Sequence, residues 1–176
     1  MEIRRLPVTE AALRRFVAEL WLPYHRELAA SVDAHALADR PDEELIEENV
    51  EFYRERFEAE GNRAWVVVES DGLDPATASP THPDIELTGH VLTSVDECSP
   101  VFDRPDRLVV GDLYVREPYR GSGLADRLIE RAAADARDHS CTEMRLDVAV
   151  DNDRARAFYE KQGFEPYREQ LTREVE

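Results

Sequence analysis

Residues 108–127 read LVVGDLYVREPYRGSGLADR, and the fold follows from the way this run changes character. LVVGDLYV (108–115) is short, apolar and rich in β-branched residues, the composition of a strand. Arg120-Gly121-Ser122-Gly123-Leu124-Ala125 then sets two glycines just ahead of a helical pattern. Leu124, Leu128, Ile129, Ala132, Ala133 and Ala136 carry that pattern to about Asp138. A strand, a glycine turn and a helix in this order make a place for an anion. The first helical turn offers unpaired N–H groups and the positive end of the helix dipole. Glycine lets a ligand approach those groups with no side chain between. The run is not a P-loop, because no Gly-Lys-Ser/Thr follows. It is not a dinucleotide fingerprint either, because Asp126 stands where the third glycine belongs. On the glycines alone, a plain turn is the competing reading.

Downstream, EMRLDVAV (143–150) predicts a strand and DRARAFYEKQG (153–163) a short helix stopped by Gly163. FEPYREQLTREV (164–175) alternates well enough to predict a final strand. Upstream, EIRRLPV (2–8) predicts a short strand, and Thr9 an N-cap. Leu13, Phe16, Val17, Leu20, Trp21 and Tyr24 mark one buried helix face. Asp39 and Pro41 open a second helix that runs to about Glu60, before Gly61. AWVVVES (64–70) and IELTGHVLTSVDE (85–97) predict strands paired as a hairpin. The loop between them, 71–84, holds three prolines and is the best candidate for a mobile segment. No repeat or linker divides the chain, so one domain is expected over 1–176. The expected class is α/β, with a mixed, mostly antiparallel central sheet and helices on both faces.

The run LYVREPYRGSGLADRLIERA is similar to motif A of the GNAT acetyltransferases, with Arg120, Gly123 and Ala125 at its defining positions. LDVAVDNDRARAFYEKQGFE resembles the family's next strand and helix through Asn152, Ala155, Tyr159, Gly163 and Phe164. The close match covers about residues 108–166. The resemblance implies an N-acetyltransferase that uses acetyl-CoA as acyl donor and an amine as acceptor. It places the coenzyme's diphosphate on the amides of Arg120, Gly121, Ser122, Gly123, Leu124 and Ala125. It pairs the pantetheine arm with the main chain of Leu113, Tyr114 and Val115, in a cleft where a bulge splays two strands. It makes Tyr159 the acid for the leaving thiolate. Asn152 either hydrogen-bonds the cofactor or caps the helix at 153.

Acetyl transfer to an amine needs a neutral amine, a donor for the developing oxyanion and a proton for the thiolate. A phenol is protonated at neutral pH and can donate. Asp112, a charge inside an apolar run, is the candidate base. Simple alternation would set it on one face with Val110 and Tyr114, opposite Val109, Gly111, Leu113 and Val115. Some relatives carry a Glu at the position of Gly111, which puts the usual base in doubt. Asp147 is a weaker alternative, and water could carry the proton. His25, His35, His82, His90 and His139 show no metal-ligand spacing, so no metal is expected. His90 could border the acceptor cleft or be structural. A coenzyme A sensor without turnover is the alternative function.

The chain has 39 acidic and 22 basic residues and a net charge of −17, with Lys161 its only lysine. Such acidity disfavours nucleic acid and anionic membrane as partners. Acidity along the whole length, with so little lysine, reads as adaptation to high salt, ahead of steering of a cationic substrate. Cys98 and Cys141 lie in no CxxC pattern and are expected reduced, in a cytoplasmic protein. The sequence leaves a homodimer open.

Overall fold

The computed structural model describes residues 1–30, 32 and 35–175. Strand β1 (Glu2–Arg5) leads into Thr9, whose hydroxyl accepts from Ala12 N at 3.4 Å and opens α1 (Glu10–Phe16). The helical run then widens into a π turn (Val17–Trp21) before α2 (Leu22–Ala29). Pro23 accounts for the widening. It has no N–H to give, and in a regular helix its ring would strike the carbonyl of Glu19. The π turn instead sends Leu22 N to Val17 O and carries Tyr24 and His25 forward on a rotated face. Helix α3 (Asp42–Glu58) begins after Pro41, with Asp42, Glu43 and Glu44 at the positive end of its dipole.

Strands β2 (Asn62–Glu69), β3 (Glu86–Asp96), β4 (Arg107–Val115) and β5 (Glu143–Arg145) complete one sheet in the order β1-β2-β3-β4-β5. All neighbours are antiparallel except β4 and β5, which run parallel across α4 (Leu124–Asp138). Helix α5 (Asp153–Lys161) follows β5. The alternation of β2 decides the layers. Val66 and Val68 face a core with α1 and α3, while Val67 faces one with α4. All three valines are fully buried. Each such side chain contributes about 1.5–3 kcal/mol. The expected mixed, mostly antiparallel sheet with helices on both faces is what forms.

Four local expectations change. The strand expected at 143–150 lasts three residues, and 146–150 leave the sheet. The tail at 164–175 is not a strand, although it alternates. Pro166 cannot donate to a ladder, and β5 is too short to template one. The first strand ends at Arg5 instead of running to Val8, because Pro7 interrupts it. The loop at 71–84 is tied down. Arg4 donates to the carbonyls of Pro75 and Ala78, and Arg15 to those of Pro80, His82 and Ile85. Cys98 and Cys141 are free thiols.

Candidate active site

The site begins with an irregularity in β4. Val91 pairs with Leu113 and Thr93 with Val110, so Gly111 and Asp112 stand together opposite Leu92. This extra residue is a β-bulge, and it resets the alternation. Leu108, Val110 and Val115 therefore share the α4 side, while Tyr114 joins the α1–α3 side. Strict alternation had set Val110 with Asp112 and Tyr114; the bulge corrects it. A Cβ on Gly111 would lie 3.3 Å from Leu92 Cβ, so the bulge leaves little room for a side chain there. Pairing of β4 with β5 stops at Val109–Arg145. Beyond it the strands separate and a cleft opens between them.

A cavity of about 630 Å³ fills the cleft. Its walls are the end of β4 (Leu113, Tyr114, Val115), the glycine loop, the start and half-buried side of α5, and Tyr24, Glu27 and Leu28 of α2. Gly121 and Gly123 have φ of 73° and 80°, and Gly123 caps α4 in the left-handed conformation. Left-handed backbone costs a residue with a side chain about 1–2 kcal/mol, so geometry alone accounts for both glycines. Nothing lies within 4 Å of a Cβ on Gly121, so the loop faces open space. Arg120, Leu124 and Ala125 line the cavity; Ser122 does not, and its hydroxyl donates to Tyr119 O at 2.6 Å. Arg120 donates from Nε to Val115 O at 2.9 Å and pairs with Glu27. Glu27 also accepts from the Tyr114 hydroxyl at 2.6 Å. Burial and this carboxylate push the Tyr114 phenol up to about 12. Asn152 caps α5, its Oδ1 accepting from Ala155 N at 3.1 Å, and it also borders the cavity.

A second cavity, of about 330 Å³, lies deeper along β4. Tyr24, Asn152 and Tyr159 border both cavities, so they stand where the two meet. Asp112 and Asp147 border only the second. Asp147 lies just past the end of β5 and is exposed. Burial pushes the Asp112 carboxyl up, but His25 beside it, with the positive charge of Arg56, brings it below the usual carboxylate range. His25 Nε2 is 3.5 Å from Asp112 Oδ2, a contact rather than an aligned hydrogen bond. Burial and the Asp112 charge push the Tyr159 phenol up to about 12. Its ring is held edge-on between Phe158 and Phe164. At neutral pH a protonated phenol thus stands at the junction of the cavities and an ionised carboxylate in the second one.

His90 is fully buried, edge-on to Phe16 and Tyr24, and neither ring nitrogen has a hydrogen-bond partner among the described residues. Burial lowers it to about 4, so it is neutral. It lines neither cavity and packs as a neutral ring against Phe16 and Tyr24. The sequence did not single out His25, Tyr24 or Glu27 for the site. The available signal was Pro23 inside a helical pattern, which marks a helix whose face is about to rotate.

Among the described residues, the sheet parts at its one parallel pair with a helix N-terminus at the split, the α/β arrangement in which open sheets leave a crevice at the strand ends. Residues 29–164 match the acetyltransferase (GNAT) family, and the chain belongs to that family. Thialysine N-epsilon-acetyltransferase of Bos taurus is 38% identical over 52 residues, covering 30% of this chain and 31% of that protein. The chain thus matches under a third of that curated relative. Among solved structures, a transcriptional regulator from Bacillus halodurans superposes with a TM-score of 0.69 at 20% identity, over 99% of each chain. The aminoglycoside acetyltransferase AAC(6')-Iy, in complex with a CoA bisubstrate analogue, gives a TM-score of 0.64 at 17% identity, over 99% of this chain and 97% of that one. These structural likenesses show the fold.

Proposed function

We propose that the protein is an N-acetyltransferase that moves the acetyl group of acetyl-CoA to an amine by direct attack in a ternary complex. The observation that carries this is the meeting of two cavities at Tyr159: one opens on a glycine loop at a helix N-terminus, the other on carboxylates. The amides of 121–125 suit a diphosphate in charge and exposure. The splayed main chain of Leu113–Val115 suits the amides of pantetheine. The acceptor enters by the second cavity. Its nitrogen bonds to the acetyl carbon, and the carbon–sulfur bond breaks. Tyr159 gives its proton to the departing thiolate. Asp112 attracts the ammonium form, and the proton lost from nitrogen leaves by way of Asp112 and His25. Because a thioester is already activated, holding the two reactants in line supplies much of the rate.

No described helix is long and apolar enough to cross a membrane. The free thiols support a cytoplasmic setting, and the lysine-poor, acidic chain supports a high-salt one. The test is calorimetric titration with acetyl-CoA in about 2 M KCl, where surface charge is screened, followed by a thiol-release assay over a panel of amines. Binding together with amine-dependent release is expected. Binding without release for any amine would favour a sensor, and no binding would end the reading.

A further inference from the structure

The second cavity carries charges of both signs, and their placement limits what can fill it. Asp112 and Asp147 come from the β4–β5 side. Arg56 comes from α3 and borders this cavity but not the first. Among the described residues no carboxylate lies within ion-pairing distance of Arg56, while Arg54, two residues earlier, pairs with Glu10 and Glu51. Arg56 is half-buried, and without a carboxylate beside it among the described residues its guanidinium can take a negative group of a ligand in the cavity. Its guanidinium lies 5.9 Å from the Phe52 ring centroid, a contact that orients it without neutralising it. Arg56 is also among the charges that act on Asp112, so the two oppose each other across one small space. At about 330 Å³ the cavity sits at the low end of small-molecule sites, too small for a folded partner.

We infer that the acceptor is a free amino acid, its reacting amine held toward Asp112 and Tyr159 and its carboxylate paired with Arg56. This rests on the acetyl-transfer reading and narrows it to a substrate class. An ammonium alone would satisfy Asp112 but leave Arg56 facing the cavity unpaired. A carboxylate offers the planar guanidinium two parallel hydrogen bonds, which a neutral amine cannot. Discrimination should then fall on the carboxylate, since a site built to pair with a group rejects the analogue that lacks it.

The experiment compares matched acceptors that differ only in the carboxylate: L-lysine with cadaverine and L-ornithine with putrescine. Each is assayed by thiol release with wild type, Arg56→Gln and Arg56→Lys, after melting curves confirm folding. Wild type should favour at least one amino acid over its diamine by roughly 10-fold or more in kcat/KM. Arg56→Gln should raise KM for that amino acid by roughly 10- to 100-fold, with kcat little changed. The same variant should not weaken the diamine, whose second ammonium Arg56 repels, and Arg56→Lys should recover part of the loss for the amino acid. Diamines preferred by wild type, no turnover of either amino acid, or an equal loss for both members of a pair in Arg56→Gln would overturn the inference. Continued acetyl-CoA binding and transfer to a diamine in those cases would leave the broader reading standing.

Discussion

At the residue scale, Tyr159 at the cleft and His90 in the core show how burial sets two titratable groups in opposite directions. Burial and the Asp112 charge keep Tyr159 protonated, with its phenol at about 12, so it can only donate. Tyr159→Phe removes the hydroxyl and little volume. We expect acetyl-CoA affinity to hold and kcat to fall by roughly 100-fold, within the range for losing a general acid. Turnover equal to wild type in a stable variant, where chemistry limits the rate, would make the ring mere packing. His90 is depressed instead, to about 4 from an ordinary 6.5, by its burial. The unfolded chain therefore binds a proton between about pH 4 and 6.5 that the folded chain refuses. The resulting stability is fully present above about 6.5 and is lost as pH falls toward 4, by up to about 1.4 kcal/mol per unit. His90→Phe should lose less unfolding free energy than wild type between pH 7 and pH 5 in urea titrations. An unchanged difference would mean that His90 is protonated in the fold or plays no part.

The glycine loop, the bulge and the capped helix α5 act as elements. Gly123→Asp imposes both left-handed strain and a negative charge at the start of α4. Asp, like Asn, visits the left-handed backbone more readily than most residues, so strain should lower Tm only modestly. The charge predicts acetyl-CoA binding weakened by more than about tenfold, since each 1.4 kcal/mol is tenfold in affinity. Gly123→Asn tolerates the left-handed backbone and should keep much of the binding. Near-normal calorimetric affinity in a folded Gly123→Asp protein would move the anion site elsewhere. Asn152→Ala removes a cap and should cost about 1 kcal/mol of stability, with acetyl-CoA affinity little changed. A large affinity loss at unchanged Tm would return Asn152 to the ligand. These elements were legible in different degrees. Leu124 through Ala136 spelled out α4, and Arg120 through Ala125 its loop, because periodicity and glycine placement are local signals. The bulge was not legible by alternation, because it depends on how Leu92 of a neighbouring strand crowds Gly111. His25 was missed because its approach to Asp112 depends on the rotation of α2 behind Pro23. The tail at 164–175 alternates like a strand, yet pairing needs a partner edge that three-residue β5 does not supply.

For the whole molecule the dominant fact is a net charge of −17. Self-repulsion of this size opposes the compact state and is screened as salt rises. The arginines answer part of it: Arg14 bridges Glu43 and Glu47, Arg40 meets Glu48, and Arg107 meets Glu143. Exposed pairs of this kind contribute about 0–1 kcal/mol each, too little to cancel the repulsion. Thermal stability should therefore rise with KCl from dilute buffer to about 2 M, where the Debye length falls to a few Å. A higher melting temperature in dilute buffer would contradict the high-salt reading. The fold as a whole makes one arrangement: a sheet split between β4 and β5, with two cavities that meet at Tyr159, which the proposed reaction uses for donor and acceptor. The most direct measurement of that arrangement is the initial rate of thiol release with acetyl-CoA varied at several fixed concentrations of a working amine. Direct attack in a ternary complex predicts release that depends on the amine and double-reciprocal lines that intersect. Parallel lines, or release that ignores the amine, would contradict it.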